Sequence, residues 1–142
     1  MKLLNLFLVG ALMLTMVACK GSGKDAIVGT WGVEDVDMSD MLAGLSDEEK
    51  GMYEAFLPMM EEAMKSMEMT FNADGTMETS ASMMGQENKD SGKWSLSEDG
   101  KTLTTETNGN KEDIKVESLD GSKMVLAMEN DGSVMKLMMK KK

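Results

Sequence analysis

The chain of 142 residues has no histidine and no arginine, and it has only one cysteine and one proline. These absences leave Ser, Thr, Lys and carboxylates as the remaining nucleophiles and bases. No Gly-x-Ser-x-Gly motif, phosphate-binding loop or dinucleotide fingerprint occurs. The single cysteine, Cys19, cannot form an internal disulfide. The sequence therefore predicts a protein that is not an enzyme and that needs no cofactor or catalytic metal.

Positive charge is also scarce. Aspartate and glutamate total 25 against 15 lysines, and the formal net charge is -10. A surface this acidic is repelled by phosphate backbones, so nucleic acid is excluded as a partner. The acidic residues are spread along the chain, which is typical of a soluble surface rather than of an acidic recognition tail.

The N-terminal 18 residues have the layout of a secretory signal. Lys2 precedes an apolar run from Leu3 to Thr15, and the small Ala18 stands before Cys19. The segment resembles bacterial lipoprotein signals, with "MVAC" as the lipobox. The resemblance implies cleavage, lipidation of Cys19 and anchoring in the cell envelope, with the outer membrane expected and the exposed face left open. Residues 19–26 are predicted to be a flexible tether.

Residues 27–142 are predicted to form one domain, and most of it alternates between apolar and polar positions. In the opening segment, alternate positions have the same parity and would face one side of a strand. These positions are Ile27, Gly29, Trp31 and Val33. After Met67, seven further segments of this kind are bounded by Gly with Asn or Asp, which favour hairpin turns. The stretch "GQENKDSG" among them is predicted to be a polar loop. Eight strands therefore follow one another along the chain.

A helical insert of about residues 39–66 separates the first two strands. Ser46 and Glu49 form a capping-box pattern, and apolar residues then recur every three or four positions. Pro58 lies within this pattern and cannot donate its backbone hydrogen bond. We therefore expect a kink or a break into two helices near Leu57.

The fold class predicted from these elements is mainly β. Eight antiparallel strands in sequential hairpins leave no unpaired edge if they close into an up-and-down barrel. A two-sheet sandwich with the helix across it is the alternative. The four Asp-Gly pairs lack the ligand pattern of calcium loops and are predicted to be turns, at Asp74, Asp99, Asp120 and Asp131.

The order of short motifs resembles the lipocalin-like domains of small bacterial envelope lipoproteins. The motifs are "IVGTWGVEDVD", "MTFNADGTM", "SGKWSLSEDGKTLTTE" and "IKVESLDGSKMVLAM". The resemblance implies an eight-stranded lipocalin-like barrel that binds small hydrophobic molecules. It assigns Gly29 and Trp31 to the first-strand motif, whose tryptophan packs across the closed end beneath an arginine. Here that contact is either missing or made by a lysine such as Lys136.

Methionine is abundant, with 19 in the chain and three of them, Met1, Met13 and Met16, in the predicted signal. Most of the others follow the inward parity of the strands or the apolar stripe of the helix, which favours a packing role. The alternative is a Cu(I) site, because thioethers bind soft metals and Met59, Met60 and Met64 lie close together in sequence.

The predicted function is binding of a small hydrophobic or amphipathic molecule in a methionine-lined cavity beneath the helical insert. The alternative class is a filled barrel that acts as a protein–protein or glycan interaction module. The residues predicted to contact the ligand are aromatic or methionine side chains on the helix and the inward strand faces: Tyr53, Phe56, Met60, Met64, Phe71, Met77, Trp94 and Met124.

Overall fold

The computed structural model describes residues 23–142. The predicted signal peptide and Cys19 lie outside these residues. Residues 23–26, predicted to be part of the flexible tether, belong to a short helix. The elements in chain order are α1 (Gly23–Ile27), β1 (Gly29–Asp37), α2 (Ser39–Ala43), α3 (Asp47–Lys65), β2 (Glu68–Phe71), β3 (Thr76–Met83), β4 (Gln86–Leu96), β5 (Thr102–Thr107), β6 (Asn110–Leu119), β7 (Lys123–Asn130) and β8 (Ser133–Lys141).

The eight strands form one closed antiparallel barrel in which each strand pairs with its neighbours in sequence. The ring closes where β1 pairs with β8, from Trp31 opposite Lys141 to Asp37 opposite Lys136. The predicted up-and-down barrel is confirmed, with the helical insert between the first two strands. The sandwich alternative is wrong, because β1 bonds to both β2 and β8 and so joins all the strands into one sheet.

The alternation of apolar residues along the strands produces the core, with a register shift in β6 between Val116 and Ser118 and another in β1. Trp31 and Val33 are buried as expected, but the register then shifts between Val33 and Asp35. Such a bulge moves the following residues to the opposite faces of the sheet, so Val36 becomes buried while Asp35 is exposed. The largest fully buried side chains are Trp31, Phe71, Ile27, Leu103, Met124, Leu126, Leu137 and Met139.

The prediction of a polar loop at "GQENKDSG" is wrong. β4 begins at Gln86, and its first part pairs residue by residue with β3 back to Met83. Residues 86–91 are exposed, so they have no buried apolar face that would produce an alternating pattern. Backbone hydrogen bonds to β3 form this part of the strand, and such bonds leave no signal in side-chain hydropathy.

Helix α3 has the predicted capping box, in which the Ser46 hydroxyl accepts a hydrogen bond from the Glu49 N–H and the Glu49 carboxylate accepts one from the Ser46 N–H. The Ser46 hydroxyl also donates to the Glu49 carboxylate at 2.6 Å, and this bond, followed by the one from the Ser46 N–H, lowers the pKa of Glu49. The predicted break near Leu57 is wrong, because the helix is continuous through Pro58. Pro58 and Glu54 are both exposed, and water can hydrate the carbonyl group that the proline leaves unbonded.

The Asp-Gly pairs are turns, as predicted. The Asp74 carboxylate accepts hydrogen bonds from the Thr76 hydroxyl at 2.6 Å and from the Thr76 N–H at 2.9 Å, and these bonds lower the pKa of Asp74. Asp120 accepts from the N–H groups of Lys123 and Ser122 in the same way, which lowers its pKa. The carboxylates therefore stabilise the turns themselves.

One end of the barrel is closed by α1 and by Trp31. The Trp31 indole N–H donates to the Ile27 carbonyl at 2.6 Å, and both side chains are fully buried. Lys141 Nζ lies 5.2 Å from the centroid of the Trp31 ring and donates to the Ala26 carbonyl at 3.1 Å. A lysine thus occupies the place of the expected arginine.

That lysine is Lys141 and not Lys136, whose ammonium pairs with Glu117 at 3.0 Å. Register explains the difference, because Trp31 lies directly opposite Lys141 in the β1–β8 pair. Gly29 makes the contact possible. It has a φ of 132°, and a Cβ there would lie 2.6 Å from Lys141 Cε. The Gly-x-Trp motif therefore combines the aromatic ring with the space for the cation that covers it.

Changing Lys141 to Met removes this cation while keeping an unbranched side chain over Trp31. We expect the free energy of unfolding to fall by about 1 kcal/mol, the size of a typical cation–π contact. The matched control is Lys140→Met, since Lys140 is its exposed neighbour on β8. Urea unfolding followed by tryptophan fluorescence measures both variants. Equal stability of the two would contradict the assigned role of Lys141.

Candidate functional site

The helical insert lies at the end of the barrel opposite to α1, which we call the open end. The β3–β4, β5–β6 and β7–β8 turns are also at this end. Helix α2 contacts β8, and the Asp40 carboxylate accepts a hydrogen bond from the Val134 N–H at 2.9 Å. Helix α3 packs against β1 and β3. The insert therefore lies across the open end and is held on two sides.

A groove of about 670 Å³ lies between the C-terminal half of α3 and the β3–β4 hairpin. We call it the methionine groove. Six of its lining residues are methionines, and the polar ones are one glutamate and two serines. The lining residues are Met59, Met60, Glu62, Ala63, Met64, Ser66, Met67, Ala81, Ser82, Met83, Met84 and Gly85.

The methionines of the groove differ in exposure. Met60, Met64 and Met67 are partly buried and pack against the barrel core. Met59, Met83 and Met84 are exposed, at 55%, 59% and 90%. Unbranched thioether side chains adapt to irregular shapes more readily than branched ones do. The groove is therefore an adaptable apolar surface with anchored methionines on one side and free ones at its rim.

Hydrogen bonds between Ser66 and Ser82 join the two walls of the groove. The Ser66 hydroxyl lies 2.8 Å from the Ser82 carbonyl oxygen and accepts a hydrogen bond from the Ser82 N–H at 3.1 Å. It also lies 2.6 Å from the Ala63 carbonyl oxygen at the end of α3. These contacts hold the last turn of the helix against β3. They also satisfy the Ser66 hydroxyl within the protein, and Glu62 is the charged group of the lining.

The tip of the β3–β4 hairpin has an unusual residue. Met83 pairs with Gln86, so Met84 and Gly85 form a two-residue turn, and both have positive φ, 52° and 78°. Such a turn favours Asn-Gly, because side chains other than Asn and Asp are strained at positive φ. A methionine at this position gives up some local stability and places an apolar side chain at the rim of the groove.

The residues predicted to contact the ligand fall into three places. Met60 and Met64 line the methionine groove. Tyr53 and Phe56 lie on the exposed surface of α3, where Phe56 is 52% exposed. The other four are buried in the barrel core: Phe71, Met77, Trp94 and Met124. Ligand contact by any of these residues stays a prediction.

The four core residues have structural partners. The Trp94 indole N–H donates to the Asn72 carbonyl at 2.9 Å, and the ring packs edge-on against Phe71 with centroids 5.5 Å apart. Met77 lies opposite Gly92, and Met124 opposite Met139. These contacts fill the barrel towards its closed end, whereas the methionine groove lies at the other end.

Sequence reasoning missed the hairpin side of the groove. Ala81 and Met83 share the inward face of β3 with the buried Met77, and Met84 follows at the tip. The signal was present in "SMMGQ", an apolar pair followed by glycine. Assigning the next residues to a loop concealed it, because a hairpin tip is recognised only when both strands are identified.

Residues 23–142 contain no group of three or more Cys, Asp or Glu side chains arranged to hold a metal ion. Among the helices of the same residues, none combines the length and the apolar character needed to cross a membrane.

Comparison with known proteins supports the architecture. A family model described as a lipocalin-like domain matches residues 27–126, which is more than half of the chain. The chain belongs to this lipocalin-like family. The match begins at the buried Ile27 and extends to Leu126 in β7, so it includes the Gly-x-Trp motif and the whole helical insert. No curated protein matches the chain.

One solved structure supports the fold, and others match with lower scores. A lipocalin-like protein from Bacteroides uniformis ATCC 8492 is 17% identical, with a TM-score of 0.56 over 82% of this chain and 99% of the other. As-p18, an extracellular fatty acid binding protein, is 14% identical, with a TM-score of 0.44 over 83% and 97%. Bovine odorant binding protein, in complex with a selenium-containing odorant, is 14% identical, with a TM-score of 0.46 over 84% of this chain and 72% of the other. The last two scores are too low to support any argument about this chain.

Replacing Met84 by Asn relieves the strain at the hairpin tip, because Asn-Gly suits a turn with two positive φ angles. We expect the free energy of unfolding to rise by about 1 kcal/mol. Met83→Asn is the control, since Met83 lies in the strand with ordinary φ and gains nothing from Asn. Chemical denaturation measures both. If Met84→Asn is no more stable than the parent protein, the turn is not strained.

Proposed function

We propose that this lipocalin-like protein binds a small hydrophobic or amphipathic molecule in the methionine groove. The observation that carries the proposal is a groove of about 670 Å³ at the open end of the barrel, lined by six methionines and two alanines. Ligand sites in proteins are concave, mostly apolar and of roughly 300–1,000 Å³. The size and lining of the groove fit that description.

The chemistry of the site is non-covalent. Apolar ligand surface leaves water for contact with thioether and methyl groups, which is favourable by about 25 cal/mol for each Å² buried. The exposed Met59, Met83 and Met84 can change rotamer to follow the shape of the guest. The half-buried Met60 and Met64 provide the fixed part of the surface. Such a site suits several related apolar molecules better than a single molecule of fixed shape.

We also propose that the protein is a lipoprotein of the bacterial cell envelope, anchored through Cys19. Gly23 lies at the closed end, where a Cβ added to it would be 3.2 Å from Leu96 Cδ2 and 3.8 Å from Gly100 Cα in the β4–β5 turn. Cys19 precedes it by four residues, which span at most about 14 Å. An anchor on Cys19 would therefore hold the closed end near the membrane and direct the methionine groove away from it.

Polar variants of the groove test the binding function. Met60→Gln with Met64→Gln keeps helix propensity and side-chain length but makes the wall polar. We expect the affinity for an uncharged fluorescent apolar probe to fall about tenfold, as apolar contact is lost. The matched control is Met52→Gln, because Met52 lies on the same helix, is 67% exposed and does not line the groove.

Thermal unfolding of the same samples separates a loss of binding from a loss of fold. Met83→Gln adds a variant at an exposed position that leaves the core intact. Unchanged probe affinity in the folded double variant would exclude the methionine groove as the binding site.

Cu(I) binding is a second candidate function, favoured by the gathering of six thioethers around one groove. The triple variant Met59→Leu, Met60→Leu and Met64→Leu removes sulfur while keeping the surface apolar. We expect it to lose Cu(I) affinity in competition with a chromogenic chelator and to retain affinity for the apolar probe. Equal Cu(I) affinity in the parent and the variant would eliminate this candidate.

Cys19→Ala tests the anchor. In the bacterial host, we expect the variant to leave the membrane fraction or to keep its signal peptide, whereas Ser22→Ala should behave like the parent protein. Cell fractionation and intact-mass measurement report both outcomes. Membrane retention of a processed Cys19→Ala protein would refute lipid anchoring through this residue.

A further inference from the structure

We infer that the methionine groove selects a hydrophobic cation, such as an alkylammonium, over a fatty acid of the same length. This inference rests on the proposed binding function and adds the charge of the ligand to it. Three observations support it: the charged group in the lining of the groove, the exposed carboxylates of β4 and β6 at the open end, and the positions of the lysines.

Glu62 is the charged residue among those that line the groove. It lies on the exposed side of α3, one residue after Glu61 and one before the groove alanine Ala63. Within residues 23–142, none of the four ion pairs involves Glu62. A ligand cation at the rim would therefore meet a carboxylate that has no lysine to displace.

A second carboxylate, Asp90, lies in the exposed part of β4 near the open end. It has the same parity as the buried Trp94, and it lies directly opposite Thr79. Thr79 is two residues before the groove residue Ala81, so Asp90 is a diagonal neighbour of the groove wall. Its hydrogen-bond donor is the neutral Asn108 amide, at 3.5 Å. Glu112 has the inward parity of Ile114 on β6 and adds a third carboxylate to the open end.

Lys65 is next to the groove residue Met64 on α3, but its ammonium pairs with Asp35 at 3.5 Å. Lys89 pairs with Glu87 on the outer face of β4. Lys93, Lys111 and Lys136 alternate with inward-facing residues and so point outward. Lys50 lies in the first turn of α3, more than two helical turns before Met59. The cations that contact aromatic rings, Lys24 and Lys141, lie at the closed end.

A carboxylate headgroup in the groove would thus meet like charges without a compensating cation, and the sequence offers no arginine that could reach it. An ammonium headgroup would be attracted by Glu62 and Asp90 and by the overall charge of -10. At the open end, which is partly solvated, such differences correspond to about a tenfold change in affinity.

The test uses three matched ligands with one alkyl chain and different headgroups: dodecylammonium, dodecanol and dodecanoate. Each displaces an uncharged fluorescent apolar probe at neutral pH and at concentrations below micelle formation. We expect dodecylammonium to bind about tenfold more tightly than dodecanoate, with dodecanol between them. Added salt should reduce this difference, because it screens partly exposed charges.

Glu62→Gln combined with Asp90→Asn removes both charges with little change in shape. We expect this variant to lose most of the discrimination between dodecylammonium and dodecanoate, and thermal unfolding of the same sample checks that it is folded. Glu54→Gln is the control, because Glu54 lies on the exposed face of the same helix and does not line the groove. It should discriminate as the parent protein does.

The outcomes separate the two proposals. If none of the three ligands displaces the probe and the probe itself does not bind, the proposed binding function fails. If the ligands bind but dodecanoate or dodecanol binds at least as tightly as dodecylammonium, the function stands and the charge selectivity is refuted. Selectivity that persists unchanged in the folded double variant also refutes it, because other groups would then be responsible.

Discussion

Closure of the sheet between β1 and β8 is the interaction on which the rest of the structure depends. It joins residues about a hundred positions apart, with Trp31 opposite Lys141 at one end of the pair and Asp37 opposite Lys136 at the other. Without it, both strands would be exposed edges and their apolar faces would have no common interior. The bulge after Val33 belongs to this closure, because it turns Val36 inward.

The closed ring creates two ends with different physical properties. At one end, indole and lysine groups form directed contacts around Trp31, and the space is filled. At the other end, the helical insert meets the β3–β4 hairpin through a few hydrogen bonds and flexible methionines. Packing at the first end supplies stability, so the second end tolerates a strained turn at Met84 and an apolar groove.

Methionine has two roles in this chain, which its high frequency alone does not separate. Met124 and Met139 are fully buried opposite each other in β7 and β8, where they act as core residues. Met59 and Met84 are exposed beside the groove. The same flexible side chain that fills an irregular core can also form an adaptable binding surface. The two roles are distinguished by position relative to the insert.

The sequence by itself determined the strands, the capping box at Ser46 and the Asp-Gly turns, because alternation, capping and positive φ are local properties of a few residues. Together with the succession of hairpins and the Gly-x-Trp motif, these were enough to predict the closed barrel. The tertiary structure alone decided that β4 begins at Gln86, that Lys141 covers Trp31, and that the groove forms where α3 meets Met83 and Met84. Each of these depends on which distant segments come together, and such contacts are set by strand register and by the docking of the helix.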